Sequence, residues 1–430
     1  MAADRLSPGK SLTGNQIITS SGDRFVLGFF TPGNSSNYYI GIWYKKVSTQ
    51  TVIWVANRET PLPNTSSQLR LTEDGNLVLF NQSNTPIWSS NSTSANPNST
   101  VLVLLDTGNL VLRDGSNSTA EIWQSFDHPT DTWMPTGKVG LNRITGVNQR
   151  LISWWSKDDP APGPFSLEIN PNSTNEFLIL WNSSKQYWTS GAWNGQIFSS
   201  VPEMRGLYIY NFSFQDDQNG KYFMYSVYDN TSLLRFVMDT SGQIKQMTWL
   251  ENSKNWNLFW SQPRAQCDVY SLYGAFGSCE VKDQTCTCVQ GFEPTSAKDW
   301  NLNDWSRGCG RKTKLQCGSN SSVNGEKDRF QAMPDMQLPE NQLSLPVGSP
   351  QECESACLSN CSCNAYAYDS GCLIWNGNLM NLRQLSAGGS NGGTLYLRLA
   401  ASEFPSSSSK KGVFTGAIVG AVAGIAVILL

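Results

Sequence analysis

Histidine is all but missing: His128 is the single one in 430 residues. A His-based catalytic triad, a His-rich zinc site and most acid–base dyads therefore lack their material. His128 itself, beside Pro129, reads as a polar loop residue. Excess basic charge is missing too. Lys and Arg number 31 against 34 Asp and Glu, which excludes the basic face that a nucleic-acid binder needs. Long amphipathic helical patterns are scarce, whereas Trp, Asn, Ser, Thr and Gly are plentiful. That composition implies an all-β chain with many turns. The length implies roughly three domains at about 150 residues each.

Cysteine is absent from the first 266 residues, and all 11 lie between Cys267 and Cys372. Cysteines clustered in this way imply small modules held by disulfides, because a small module buries too little apolar area to hold itself. The spacings and the lack of histidine argue against metal ligation. Asn-x-Ser/Thr sequons stand at Asn34, Asn64, Asn81, Asn91, Asn98, Asn117, Asn172, Asn182, Asn211, Asn230, Asn320 and Asn360. Together with the cysteines they place the chain in the secretory pathway. Val413 to Leu430 is an uncharged apolar run, nearly the ~20 residues of one membrane helix. No signal peptide is visible at the start. The expectation is a processed start and an end inside a membrane span, with residues 1–412 outside a plasma membrane crossed once. Gly416, Gly420 and Gly424 share one face of that helix, where a second helix could pack; glycine is also simply common in such spans.

The first third repeats itself. Gly41-Ile-Trp-Tyr44, Gly75-Asn-Leu-Val-Leu-Phe80 and Gly108-Asn-Leu-Val-Leu-Arg113 are each followed by an Ile-Trp pair, at Trp54, Trp88 and Trp123. The unit alternates apolar and polar residues, the period of a strand, with turn clusters between. One unit cannot bury its own face, but three around an axis can, with the three tryptophans meeting in the middle. A pseudo-threefold β-prism is expected.

These residues resemble the bulb-type mannose-binding lectin domain. That family reads mannose with Gln-x-Asp-x-Asn-x-Val-x-Tyr. The motif falls on Thr72, Asp74, Asn76, Val78 and Phe80 in the middle repeat, and on Leu105, Thr107, Asn109, Val111 and Arg113 in the third. In the first it falls on Tyr38, Ile40, Ile42, Tyr44 and Lys46, with no polar pair left. The resemblance makes Asp74, Asn76 and Phe80 the candidate sugar site. The alternative is that Asp74-Gly75-Asn76 is a turn entering a strand.

Trp123-Gln-Ser-Phe-Asp-His-Pro-Thr-Asp131, Asp158-Asp-Pro-Ala-Pro-Gly163 and Ser190-Gly-Ala-Trp-Asn-Gly195 resemble the S-locus glycoprotein family. Phe177 to Trp188 echoes Leu77 to Trp88, so a second lectin-like domain is expected. Cys267 to Cys309, with Cys286-Thr-Cys288 before Gly291-Phe292, resembles an EGF-like module in which Tyr273 replaces the second cysteine. That resemblance implies Cys267 with Cys279 and Cys288 with Cys309, leaving Cys286 unpaired. Ser349, Pro350 and Glu352 signal a helix start. Cys353-x3-Cys357-x3-Cys361-x-Cys363, with Cys372, resembles a PAN/apple domain, which implies Cys353 with Cys372, Cys357 with Cys363 and Cys317 with Cys361.

The expected fold is mainly β. Tandem β-prism domains (1–126 and 127–262) precede a disulfide-rich EGF-like module (263–312), a PAN/apple α+β module (313–400), a linker (401–412) and the membrane helix (413–430). This order is that of the plant G-type lectin S-receptor-like serine/threonine protein kinases. No kinase motif is present: there is no Val-Ala-Ile-Lys and no His-Arg-Asp set. The resemblance implies a ligand-recognising ectodomain, not itself an enzyme, acting in pollen recognition or immune signalling through pairing with related receptors. Its ligand would be a peptide, a glycan or another small molecule, and no cofactor, metal or nucleic acid is implied. The alternatives are a kinase-less decoy or co-receptor, and a lectin for mannose-type glycans.

Overall fold

The computed structural model describes residues 4–405 apart from 116–120, 173, 207–208, 230–231, 303, 317–326 and 389–391. The apolar run from Val413 and its three glycines lie outside the described residues. Among the described residues no helix is long and apolar enough to cross a membrane.

Three four-stranded antiparallel sheets build the first prism. One holds Ile17–Thr19, Phe25–Phe30, Tyr39–Tyr44 and Val52–Val55. The second holds Ser11–Thr13, Gln68–Leu71, Leu77–Phe80 and Pro86–Ser89. The third holds Arg5–Leu6, Thr100–Leu104, Leu110–Asp114 and Glu121–Gln124. In every sheet a three-stranded meander is completed by a short strand from the first 19 residues. Successive side chains on a strand face opposite ways, so Leu77 and Leu79, or Leu110 and Leu112, point inward and are fully buried. Trp54, Trp88 and Trp123 meet on the axis, each pair of rings about edge to face with centroids 5.9–6.0 Å apart.

A hydroxyl stitches three of the meanders. The Leu77 amide donates to Ser90 Oγ at 3.1 Å, Leu110 to Ser125 Oγ at 2.9 Å, and, in the second prism, Phe177 to Ser190 Oγ at 2.8 Å. Each serine stands two residues after a tryptophan that follows Ile87, Ile122 or Tyr187. In the first repeat Asn57 substitutes, its Oδ1 accepting from the Ile40 amide at 2.9 Å.

The second prism again has three four-stranded sheets. Its core gathers around Trp133, whose ring lies 4.8–6.0 Å from those of Phe177, Phe223, Tyr225 and Phe236. Three prolines fall within the strand Asp159–Ile169, where they cannot donate to the ladder. The register against the partner strand Leu151–Ser156 shifts twice there, with the extra residues on the proline-bearing strand. Arg58, from the first prism, fills the gap: Nε donates to the Pro160 carbonyl at 2.7 Å and Nη2 to that of Ser153 at 2.8 Å. Trp256 of the second prism enters the core of the first, 5.4 Å from Tyr44, and its Nε1 donates to Thr51 Oγ1 at 2.8 Å.

Residues 263–312 do not form a core of their own. Cys267, Leu272, Tyr273 and Cys279 pack into the second prism. Phe276, Val289, Phe292 and Cys309 pack with Met336, Leu382 and Leu397 of the following segment. The strand Gly277–Glu280 pairs in parallel with Leu382–Gln384, so one eight-stranded sheet runs through both segments. Arg311 lies over Phe292 at 4.7 Å and donates to the Arg398 carbonyl at 2.6 Å; burial lowers its pKa to about 10. The helix Pro350–Ser359 covers this sheet. Ser349 Oγ accepts from the Glu352 amide at 3.3 Å, and Glu352 reaches back to the Gly348 amide at 2.8 Å. At its far end Arg398, ion-paired to the buried Asp328 at 3.0 Å, donates to the carbonyls of Cys357 and Asn360.

Candidate functional site

The outer faces of the three meanders are where a sugar motif would stand. In the middle repeat Asn76, Val78 and Phe80 face outward, opposite to Leu77 and Leu79. Asp74 is exposed but turned on its own loop: its Oδ1 accepts from Thr72 Oγ1 at 2.5 Å and from the Asn76 amide at 3.2 Å. The Thr72 hydroxyl holds its carboxyl below the usual carboxylate range. The Asn76 Oδ1 accepts from Ser90 Oγ at 2.8 Å and Ser89 Oγ at 3.1 Å. Phe80 lies under the Arg70 guanidinium at 5.2 Å. Its ring offers a stacking face but no hydroxyl.

In the third repeat the equivalent atoms are shut in. Asn109 is buried, with Nδ2 donating to Gln124 Oε1 at 2.7 Å and Oδ1 accepting from Ser125 Oγ and the Phe126 amide, both at 3.2 Å.

The first repeat requires a correction. The ladders pair Ile42 with Trp54, Leu79 with Trp88 and Leu112 with Trp123. Gly41 is therefore the counterpart of Val78 and Val111, not of Gly75 and Gly108. The motif falls on Ser35, Asn37, Tyr39, Gly41 and Trp43, whereas Ile40, Ile42 and Tyr44 face the core. An odd shift of register flips every side chain. A Cβ on Gly41 would meet the Phe30 ring at 2.5 Å. With Phe30 and Tyr39 packed beside Trp154 of the second prism, this face has no room for a sugar.

A larger feature was not legible in the sequence. Between the axial tryptophans and the second prism lies a cleft of about 760 Å³. Trp88, Ile87, Ile122 and Trp123 line it from one side, Asn148, Arg150 and Ile152 from the other. His128 lies in it with its ring stacked on Trp123, centroids 5.5 Å apart and planes 13° apart, while its carbonyl accepts from Trp54 Nε1 at 2.9 Å. Burial lowers the imidazole pKa, against the pull of Asp127, so the ring is neutral at pH 7. Apolar rings beside scattered amide, guanidinium and carboxylate groups suit a ligand with apolar and polar faces. Among the described residues no group of three or more His, Cys, Asp or Glu could hold a metal.

Of the sequon residues, Asn34, Asn91, Asn98, Asn172, Asn182 and Asn211 are exposed, and Asn64, Asn81 and Asn360 are half-buried. Asn117, Asn230 and Asn320 lie outside the described residues. Asn91 lines the cleft.

Four bridges are described: Cys267–Cys279, Cys288–Cys309, Cys353–Cys372 and Cys357–Cys363, with Cα–Cα distances of 5.3–5.7 Å. Cys361 is also disulfide-bonded; Cys317 lies outside the described residues. Cys286 is a free thiol, half-buried beside the second prism, and burial raises its pKa to about 12. Tyr273 packs on Trp305 at 5.2 Å.

The same organisation appears in known proteins. A family model described as D-mannose binding lectin matches residues 51–155, one described as S-locus glycoprotein domain matches 188–296, and one described as PAN-like domain matches 317–382. An S-locus-specific glycoprotein, S6, of Brassica oleracea is 38% identical over 91% of this chain and 90% of its own length. The chain belongs to the S-locus glycoprotein family. A G-type lectin S-receptor-like serine/threonine-protein kinase of Arabidopsis thaliana is 49% identical over 98% of this chain and 52% of its own length. The chain thus spans about half the length of its receptor-kinase relatives, and within the family it has the domain series of their ectodomains. A monomeric mannose-binding lectin from Gastrodia elata superposes with 22% identity over 29% of this chain and 96% of its own, with a TM-score of 0.22.

Proposed function

We propose that the chain is the ligand-recognising outer half of a plant receptor-like kinase, anchored by the apolar run from Val413, with residues 1–412 outside the plasma membrane. The observation that carries this reading is the 49% identity to a receptor kinase over 98% of the chain. The two prisms, joined by Arg58 and Trp256, would present a fixed binding surface. The stapled C-terminal segment would connect that surface to the anchor. Signalling in pollen recognition or immunity would follow from pairing with related receptors, for which Gly416, Gly420 and Gly424 offer one helix face.

Mannose recognition through the family motif is the weaker part of the reading. Asp74, Asn76 and Phe80 keep the outward placement, but the Asn76 oxygen is engaged internally and the terminal hydroxyl is absent. A site that has lost hydrogen-bond partners loses much of its affinity for hydroxyls. The ligand would then be a peptide or a different glycan, held elsewhere. A glycan array together with a peptide pull-down on the glycosylated chain tests this. Strong binding to mannose glycans that Asp74→Ala abolishes would restore the lectin reading.

The 90% coverage of an S-locus-specific glycoprotein favours a second reading, a decoy or co-receptor without a kinase. The transcript beyond Leu430 separates the two: a stop codon supports the decoy, and a kinase reading frame supports the receptor.

A further inference from the structure

The cleft between the prisms has one wall residue of a special kind. Asn91 begins the sequon Asn91-Ser92-Thr93, is exposed, and lines the cleft together with Ser92. Of the sequon asparagines among the described residues, it alone does so. The turn that carries it is held firmly. Asn91 adopts φ +50°, its amide donates to Ser89 Oγ at 3.0 Å, and Ser90 Oγ is 2.8 Å from Ser92 Oγ. The same serines bind Asn76. An oligosaccharide attached here leaves from a fixed point on the rim.

We propose that the cleft is filled by the innermost sugars of an N-linked glycan carried on Asn91. A pyranose has one face of C–H groups and an edge of hydroxyls and, in N-acetylglucosamine, an amide. The cleft offers the matching pair: Trp88, Ile87 and the stacked His128 ring on one side, Arg150, Asn148 and Glu59 among its polar groups. The volume, about 760 Å³, lies within the roughly 300–1,000 Å³ of ligand pockets, and it accommodates two or three sugar rings. Attachment follows the ordinary chemistry of the pathway. The Asn91 Nδ2 forms a bond to the sugar C1 of a lipid pyrophosphate-linked oligosaccharide, the C1–O bond to pyrophosphate breaks, and the amide proton leaves with the pyrophosphate. Once tethered, the glycan faces the cleft at an effective concentration in the millimolar range, so weak stacking and hydrogen bonds suffice to keep it there. The glycan then bridges the two prisms and occupies the cleft ahead of any external ligand.

This inference rests on the cell-surface reading, and the test separates the two. The 430-residue chain is expressed through a eukaryotic secretory pathway and its sequon occupancy mapped by peptide mass. Hydrogen exchange is then followed in peptides covering residues 121–130 and 147–152, one on each side of the cleft. Asn91→Gln and Thr93→Ala both remove the sequon and should raise exchange there by about twofold or more, the factor expected when a ligand at a concentration near its Kd is removed. Thr93→Ser keeps the sequon and should match the parent. Asn98→Gln removes a glycan site that does not line the cleft, and should leave both peptides unchanged. A bare Asn91 beside occupied sequons elsewhere overturns the inference alone. An Asn91 that is occupied while exchange is the same in parent, Asn91→Gln and Thr93→Ala also overturns it. A chain with no occupied sequon at all overturns the cell-surface reading with it.

Discussion

The Arg58 guanidinium donates to the Pro160 carbonyl at 2.7 Å, so a side chain of the first prism completes a strand of the second. Proline removes ladder donors, and the carbonyls left over would be buried without partners. Arg58 also serves Ile152 and Ser153, and burial lowers its own pKa against the Coulombic support of Asp131, Glu59 and Asp159. Arg58→Met should therefore cost about 3 kcal/mol, since several buried acceptors lose a charged donor at once. Arg58→Lys should recover less than half, because one ammonium cannot span the same carbonyls. Thermal unfolding of the two variants against the parent checks this. Equal melting temperatures would mean that the prisms hold together without it.

Ser125→Ala should destabilise the first prism by about 1–3 kcal/mol, because the buried Leu110 amide loses its acceptor and Asn109 loses a donor. Ser89→Ala, at a half-buried position, should cost less. Denaturant titration followed by tryptophan fluorescence distinguishes them. A larger loss for Ser89 would show that the Asn76 cluster, not the meander stitch, matters more.

Much of this was legible. The Ile-Trp spacing announced three repeats because the axis needs one large ring from each. The first repeat's register was not legible. Gly75 and Gly108 are turn glycines with φ of +83° and +88°, whereas Gly41 is a strand residue made small by Phe30. Two physical causes had left the same letter at the same spacing. The sheet shared by residues 263–312 and the segment after them was hidden for another reason. Cysteine spacing speaks of bridges and is silent on a parallel pairing between strands far apart in the chain. The cleft has no local signature, since it exists only where the prisms meet. Asp74 and Asn76 were legible as a motif and as a turn, and the hydrogen bonds favour the turn.

Tyr273→Cys offers Cys286 a partner. A bridge closing a loop of this length contributes about 3 kcal/mol. Removing the buried Tyr273 ring from Trp305 costs a similar amount, about 3–5 kcal/mol for a large aromatic. The variant should lose its free thiol on titration with little net gain in stability. A persistent thiol at Cys286 would show that the two positions are not within bridging distance.

The pH dependence of stability should carry a mark of His128. Its folded pKa is lowered from 6.5, with burial the main cause. As pH falls, the unfolded chain takes up this proton first, so the contribution is intact above about pH 6.5. It is lost on acidification until the folded ring is protonated too. In His128→Gln the slope is gone while the carboxylates remain common to both proteins. The melting-temperature difference, parent minus variant, should shrink between pH 7 and pH 5. A constant difference would place the ring in an environment like water.

The tryptophans on the axis impose a bargain on the sequence that carries them. Trp54, Trp88 and Trp123 come from three separate repeats, yet each ring touches the other two. A change of size at one position displaces two neighbours encoded in the other repeats, so substitutions there should be strongly non-additive. The outward face of the middle repeat bears no such linkage, since the contacts of Asn76 with Ser89 and Ser90 stay within that repeat. The interior can change only in concert, while that outer surface is free to drift singly. A scaffold of this kind can diversify one face without renegotiating how it folds.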